Sequence, residues 1–254
     1  MRNNKLKSNL KNNSLTVGSW ITMSSPNVVE ILSQYDFDWL CIDIEHNLFN
    51  GESIVNLIRL IQSYDIAALV RVSSNNDEII KHCMDAGADG VIIPMVNTLL
   101  DAVKAVNSVY YPPLGRRGVG LSRAQQYGAG FIEYQKWLKE NAIIIAQIEH
   151  HEAITNLEEI ISLDLIDGVI IGPYDLSASM GYPGDFHRTD VQDQLRTFES
   201  ICKKLNFPLG LHIVNPDKEE LKAKIDLGYS FIAYGTDFNF LRKGLDTSFK
   251  KNSL

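Results

Sequence analysis

The sequence predicts a (β/α)8 barrel. Three observations carry this reading. Eight short apolar runs rich in β-branched residues recur along the chain, amphipathic segments separate them, and no composition break or linker interrupts 254 residues. At roughly 150 residues per domain the length permits one large domain or two small ones. The unbroken alternation points to a single barrel domain spanning 1–254. A doubly wound open sheet would need a glycine-rich GxGxxG turn after the first run, and Gly18-Ser19-Trp20 does not supply it.

The elements follow in order. The opening MRNNKLKSNLKNNS is polar and lacks the apolar stretch of a signal peptide. The first run is 15–21 (LTVGSWI), and Ser24-Ser25-Pro26 then opens a helix over 27–35. Run 38–44 precedes a helix over 52–63, with Ile54, Leu57, Ile58 and Ile61 on one face. Run 66–71 precedes a helix over 76–86, which an Asn-Asp pair opens and Gly87 ends. Run 89–95 is followed by a helix over 98–109, stopped before Pro112-Pro113. A long connection leads to run 143–148 and a helix over 152–162. Run 167–172 precedes a helix over 191–205, run 209–214 one over 217–227, and run 230–234 one over 237–249. Runs 89–95 and 167–172 open alike, as Asp89-Gly90-Val91-Ile92-Ile93 and Asp167-Gly168-Val169-Ile170-Ile171.

Composition excludes several classes. A formal charge of −7 disfavours a nucleic-acid partner. No apolar stretch is long enough to cross a membrane as a helix. Cys41, Cys83 and Cys202 are few and widely spaced, which suits a reducing cytoplasm and small buried hydrophobes.

In a barrel the chemistry sits at the C-terminal ends of the strands. Asp43-Ile44-Glu45-His46 ends the second run and Arg71 the third. Gln147 and Glu149 end the fifth, two apart and so on one face. Tyr174 and Asp175 follow the sixth, and His212 and Asn215 close the seventh. Glu149 and Asp175, from adjacent strands, suit a hard divalent cation; each alone would equally cap a helix. An imidazole titrates near operating pH, so His46 beside two acids suits a general base, or is a surface-loop histidine. Arg71 ends an otherwise uncharged strand and needs an anionic partner, either a protein acid or a substrate carboxylate or enolate.

The connection 111–123 carries Gly115, Gly118 and Gly120 with Arg116, Arg117 and Arg123, a set able to cradle an anion. Its spacing matches neither a P-loop nor a dinucleotide fingerprint, so no nucleotide cofactor is expected. Its length suits a lid or an oligomer contact. None of the eight runs contains a lysine, which disfavours Schiff-base catalysis and favours a metal-stabilised enolate.

Asp43-x-Glu45-His46, Arg71, the Tyr-Pro-Pro-x-Gly-x-Arg-Gly run over 111–118, Gln147-Ile148-Glu149 and the run Gly-Pro-Tyr-Asp-Leu-Ser-Ala-Ser-Met-Gly over 172–181 stand in this order. The set resembles the HpcH/HpaI aldolase family over about 15–245. The resemblance implies a barrel of the phosphoenolpyruvate/pyruvate-binding type. It implies class II cleavage of a 4-hydroxy-2-oxo acid to pyruvate and an aldehyde, with Mg²⁺, Mn²⁺ or Co²⁺. By the same resemblance Glu149 and Asp175 hold the metal, His46 is the base and Arg71 stabilises the enolate. Gln147 and the backbone near Tyr174 and Asp175 hold the pyruvate moiety. Asp85 is similar to an acid that raises the histidine's basicity, with Asp43 in the same network. Arg123 is assigned to the substrate, and the assembly is expected to be a homo-oligomer, a trimer or hexamer.

Two positions depart from the family pattern. His150-His151 replaces a small hydroxyl residue, and the pair can tune the site or cap the next helix. Tyr174 stands where a small residue is usual and narrows the aldehyde side. A citrate- or malyl-CoA-type lyase or synthase is the alternative within this fold. A non-catalytic 2-oxo-acid sensor would have lost the histidine, arginine or carboxylates, and all are present.

Overall fold

The computed structural model describes residues 5–249. Eight parallel strands close into a barrel in sequence order: β1 (Thr16–Ile21), β2 (Trp39–Asp43), β3 (Ala67–Arg71), β4 (Gly90–Ile93), β5 (Ile143–Ile148), β6 (Gly168–Ile171), β7 (Leu209–Ile213) and β8 (Phe231–Thr236). β1 pairs with β8 to shut the ring, with a register irregularity between Gly18 and Trp20. The helices are α1 (Lys5–Lys11), α2 (Pro26–Leu32), α3 (Gly51–Ser63), α4 (Asp77–Asp85), α5 (Leu99–Val109), α6 (Phe131–Asn141), α7 (His151–Thr155), α8 (Leu157–Ile161), α9 (Pro173–Ser179), α10 (Thr189–Lys204), α11 (Lys218–Asp226) and α12 (Asp237–Ser248). Among the described residues no helix is long and apolar enough to cross a membrane. The three cysteines are free and buried.

Two hydrophobic layers hold the fold. The outer layer lies between strands and helices and includes Leu40, Ile42, Val70, Val91 and Ile144. The inner layer fills the barrel with Trp20, Trp39, Leu69, Ile92, Ile145 and Phe231. Trp39 stacks on Phe231 with ring centroids 4.4 Å apart. Gly18 makes room for it, because a Cβ there would lie 2.0 Å from the Trp39 ring.

The recurrent Asp-Gly strand opening has a physical cause. The carboxylates of Asp89 and Asp167, just before β4 and β6, accept the backbone N–H of Ala68 and Ile144 on the preceding strands, at 2.8 and 2.9 Å. Asp38, before β2, does the same for Val17 at 2.8 Å. Gly90 follows because a Cβ there would sit 2.4 Å from the Ile143 carbonyl oxygen.

The polar opening segment contains α1, which the sequence reading missed. Leu6 and Leu10 complete the inner layer, so this short helix covers the end of the barrel where the strands begin. Lys7 is buried there, donating to the Ala142 carbonyl at 2.7 Å and pairing with Asp167 at 2.5 Å. Burial pushes the lysine down and the aspartate up, and their mutual attraction opposes both shifts. Removing one partner of a buried pair typically costs about 3–5 kcal/mol. Lys7→Met is therefore expected to lower the urea midpoint by a shift of that order, and an unchanged midpoint would show that α1 does not stabilise the barrel.

Three further stretches differ from expectation, the first being α9, a short helix directly after β6 where none was expected before 191. The long connection contains a 3-10 segment (Arg123–Gly128) and α6. The helix expected over 152–162 breaks at Asn156 into α7 and α8, and the Asn156 side chain donates to the Asn97 carbonyl at 2.9 Å.

Candidate active site

Topology gathers the polar strand ends at one mouth. β2 and β3 pair Asp43 directly with Arg71. Arg71 grips Asp43 with two parallel bonds, Nε to Oδ1 and Nη2 to Oδ2, each 2.9 Å. Its Nε lies 3.3 Å from Glu45 Oε2 and its guanidinium carbon 4.3 Å from the Trp20 ring centre. Asp43 is 2% exposed, and its oxygens also accept from the Glu45 N–H and the Asn47 amide. Asp43 therefore fixes the arginine fork. Burial opposes the Arg71 charge, but the bonds to Asp43 and the field of Asp43 and Glu45 outweigh it and raise its pKa.

β5 supplies the second half. Gln147 accepts from Arg71 Nη1 at 3.5 Å and donates to Glu149 Oε2 at 2.5 Å and to Glu45 Oε2 at 3.4 Å. Glu149 is 3% exposed, and its Oε1 accepts the Met95 N–H at 2.7 Å. A Cβ on Gly172 would lie 3.0 Å from the Glu149 Cβ, so glycine at the end of β6 leaves room for this carboxylate. Burial, with contributions from Glu45 and Asp175, raises Glu149 to about 7. Glu45 is likewise raised, by burial first and by its acidic neighbours Asp43 and Asp175.

Arg71, Gln147, Glu149, Tyr174, Asp175 and His212 line one cavity of about 530 Å³. Asp175 lies exposed in the first turn of α9. Tyr174 is exposed and meets the Phe186 ring edge-on, with centroids 4.5 Å apart. His46 is exposed in the loop after β2, with Nε2 3.6 Å from Glu45 Oε2.

Two expected site residues lie elsewhere. Asp85 ends α4, which runs back from the mouth toward the strand starts, so within this chain it cannot meet His46; its charged neighbour is Arg117, at 3.9 Å. Arg123 donates to the Ala86 carbonyl at 2.7 Å and to Gln62 Oε1 at 2.9 Å at that same far end, so it does not reach the cavity. Arg117 is also turned inward, donating to the Val109 carbonyl and the Tyr134 hydroxyl, each at 2.8 Å. The expected anion cradle is thus dismantled: Arg117 and Arg123 fasten helices. His150 caps α7, its Nδ1 accepting the Glu152 N–H at 3.2 Å, and it stacks on His151.

Three contributors had no assigned role. Trp20 forms a face under Arg71, Glu45 joins the arginine to Gln147, and His212 lines the cavity. Of these, His212 stood among the polar strand ends without a role, the polar residue between Leu211 and Ile213 on an apolar strand.

A divalent cation fits this donor set. Buried Glu149 and nearby Asp175 repel one another, and hard cations such as Mg²⁺ use one or two carboxylates with substrate oxygens and water. Among the described residues no group of three or more His, Cys, Asp or Glu converges on a point, so substrate and solvent would supply the remaining ligands.

The model of the HpcH/HpaI aldolase/citrate lyase family matches residues 16–243. The chain belongs to this family. As a family aldolase it is an enzyme, a carbon–carbon lyase. Its similar proteins include the hydroxypyruvate/pyruvate aldolase of Sagittula stellata, 35% identical over 240 residues, covering 94% of each chain. The 4-hydroxy-2-oxo-heptane-1,7-dioate aldolase of Shigella flexneri is 34% identical over 245 residues, covering 96% of this chain and 91% of its own. A crystal structure of a family protein from Burkholderia cenocepacia superposes with a TM-score of 0.90 at 27% identity, covering 96% of this chain and 97% of that one.

Proposed function

We propose that this family aldolase cleaves a 4-hydroxy-2-oxo acid reversibly to pyruvate and an aldehyde, with a divalent metal (Mg²⁺, Mn²⁺ or Co²⁺) held by Glu149 and Asp175. One observation carries the reading: Arg71, clamped by Asp43, is joined through Gln147 to the buried Glu149 in a cavity shared with Asp175. When bound, the cation supplies Lewis acidity at the keto oxygen of the substrate.

The chain's own residues divide the remaining work. His46 takes the proton of the 4-hydroxyl, the C4–O bond becomes a carbonyl and the C3–C4 bond breaks. Its electron pair passes into the pyruvate enolate, and the proton held by His46 returns to C3. Arg71 presents a preorganised guanidinium to the developing enolate charge, a task worth about 10²–10³ in rate for one donor in comparable sites. Gln147 orients Glu149, and Tyr174 borders the aldehyde side. His212 is the other imidazole at the mouth, but burial and the Arg71 charge lower it to about 4, so it is a weak base at neutral pH. A homo-oligomer, a trimer or hexamer, working in the cytoplasm completes the reading; fully exposed Leu48 suits a subunit contact.

The test uses purified protein with Mn²⁺, pyruvate and a panel of aldehydes, following pyruvate loss. Asp175→Asn is expected to abolish metal binding and to lower activity by about 10³-fold or more, the scale of several kcal/mol. His46→Ala is expected to slow cleavage by about 10²–10⁴-fold while metal affinity survives. Wild-type rates in both variants would refute the assignment. Turnover of oxaloacetate with acetyl-CoA, and of no aldehyde, would replace it with the citrate-type reading.

A further inference from the structure

We propose that Asn47 is a positioning residue that holds the base His46 in place through the carboxylate of Asp43. Resting on the aldolase reading above, which gives His46 its task, this names what fixes the loop that carries it.

Asp43 has no acceptor site left over. Its Oδ1 takes Arg71 Nε at 2.9 Å and the Glu45 N–H at 3.1 Å. Its Oδ2 takes Arg71 Nη2 at 2.9 Å and the Asn47 amide at 2.7 Å. Two carboxylate oxygens offer about four lone-pair sites, so these bonds leave none for the substrate or for His46. Each oxygen holds one arm of the Arg71 fork and one point of the loop after β2.

His46 stands between those two points. The residue before it is tied by its backbone N–H, and the residue after it by its side chain. His46 itself is exposed, so packing does not hold it and the tethers on either side set its place. Glu45, one of the tethered residues, lies with Oε2 3.6 Å from the His46 Nε2. The Glu45 tether is a backbone bond that any residue but proline can make. The Asn47 tether needs a donor at this position. An aspartate of the same shape has none when ionised and would set a second carboxylate against Asp43.

Two reactions separate the base from the arginine. Cleavage of a 4-hydroxy-2-oxo acid requires a base to take the hydroxyl proton as C3–C4 breaks. Decarboxylation of oxaloacetate reaches the same pyruvate enolate without that proton. Its C3–C4 bond breaks, the electron pair enters the enolate, CO₂ leaves and C3 takes a proton from water. Arg71 faces the enolate in both reactions, and His46 has a task only in cleavage. The ratio of the two rates therefore reports on His46, and an inactive fraction of the preparation cancels in it.

With Mn²⁺ present, kcat is measured for oxaloacetate decarboxylation and for the better cleaved of 4-hydroxy-2-oxopentanoate and 4-hydroxy-2-oxo-heptane-1,7-dioate. Asn47→Ala and Asn47→Asp are each expected to lower the cleavage-to-decarboxylation ratio by about 10-fold or more, the scale of a misplaced reacting group. In a His46→Ala background Asn47→Ala is expected to cost cleavage nothing further, because a residue that acts through another loses its effect once the other is gone. A wild-type ratio in either Asn47 variant overturns the proposal; equal loss of both rates would assign Asn47 to the Arg71 clamp instead. A further loss of about 10-fold in the double variant overturns it as well. If one Asn47 variant does not fold, the other decides, and if the wild type does not decarboxylate oxaloacetate, the double variant decides on cleavage alone. Absence of cleavage of either acid by the wild type removes the aldolase reading and this proposal with it, whereas wild-type cleavage with an unchanged ratio removes this proposal alone.

Discussion

Arg71→Ala is expected to lose catalysis and stability together. The guanidinium makes two 2.9 Å bonds to Asp43, which is 2% exposed, and its removal strands that carboxylate in the barrel mouth. Stranding one member of a buried pair costs about 3–5 kcal/mol. The Trp20 face would also lose its cation, whose centre lies 4.3 Å from the ring. On the proposed mechanism kcat should fall by about 10³-fold, because enolate charge loses its fixed donor. Arg71→Lys separates the two effects. A lysine keeps the charge but cannot span Asp43 and Gln147 with a planar fork. It is expected to recover most of the stability, read as the urea midpoint, and little of kcat. A Lys variant with kcat within threefold of wild type would reduce Arg71 to a structural ion pair.

The barrel was legible because it depends on local pattern. Each apolar run became a strand, and the Asp-Gly opening written twice proved to be a device in which Asp89 and Asp167 bind the backbone of the neighbouring strand. Asn76 and Asp217 cap α4 and α11 where the sequence placed helix starts. What pattern cannot show is a contact made across the fold. Lys7 looks like one more residue of a polar leader until its partners, Ala142 and Asp167, are found 135 and 160 positions away. Arg117 and Arg123 look like an anion cradle until helix-end carbonyls and Tyr134 claim them. Asp85 was assigned by likeness of motif, and the direction of α4 carries it to the other end of the barrel. Arg71, Gln147, Glu149 and Asp175 line one cavity, as strand ends that obey the period of two and the barrel's topology should.

The second large effect is a pH-dependent destabilisation by Glu149 when divalent cations are removed. Burial first, with Glu45 and Asp175 adding repulsion, raises its carboxyl from 4.5 to about 7. The folded protein therefore holds this proton more tightly than the unfolded chain. Its contribution to stability is fully present below pH 4.5 and is lost as pH rises through about 7. At about 1.4 kcal/mol per pKa unit, the loss is on the order of 3 kcal/mol. Glu149→Gln imitates the uncharged form, its single amide oxygen still accepting the Met95 N–H; the lost bond from Gln147 is a constant that cancels in a comparison between two pH values. In EDTA the variant is expected to gain on the wild type by about 3 kcal/mol between pH 4.5 and pH 8, measured by urea unfolding. Adding Mn²⁺ at pH 8 should close that gap, because a ligand that binds the folded state stabilises it by mass action and the variant has lost a carboxylate to bind it. An equal gap at both pH values would show that Glu149 ionises freely, and a gap unmoved by metal would separate this carboxylate from any cation site.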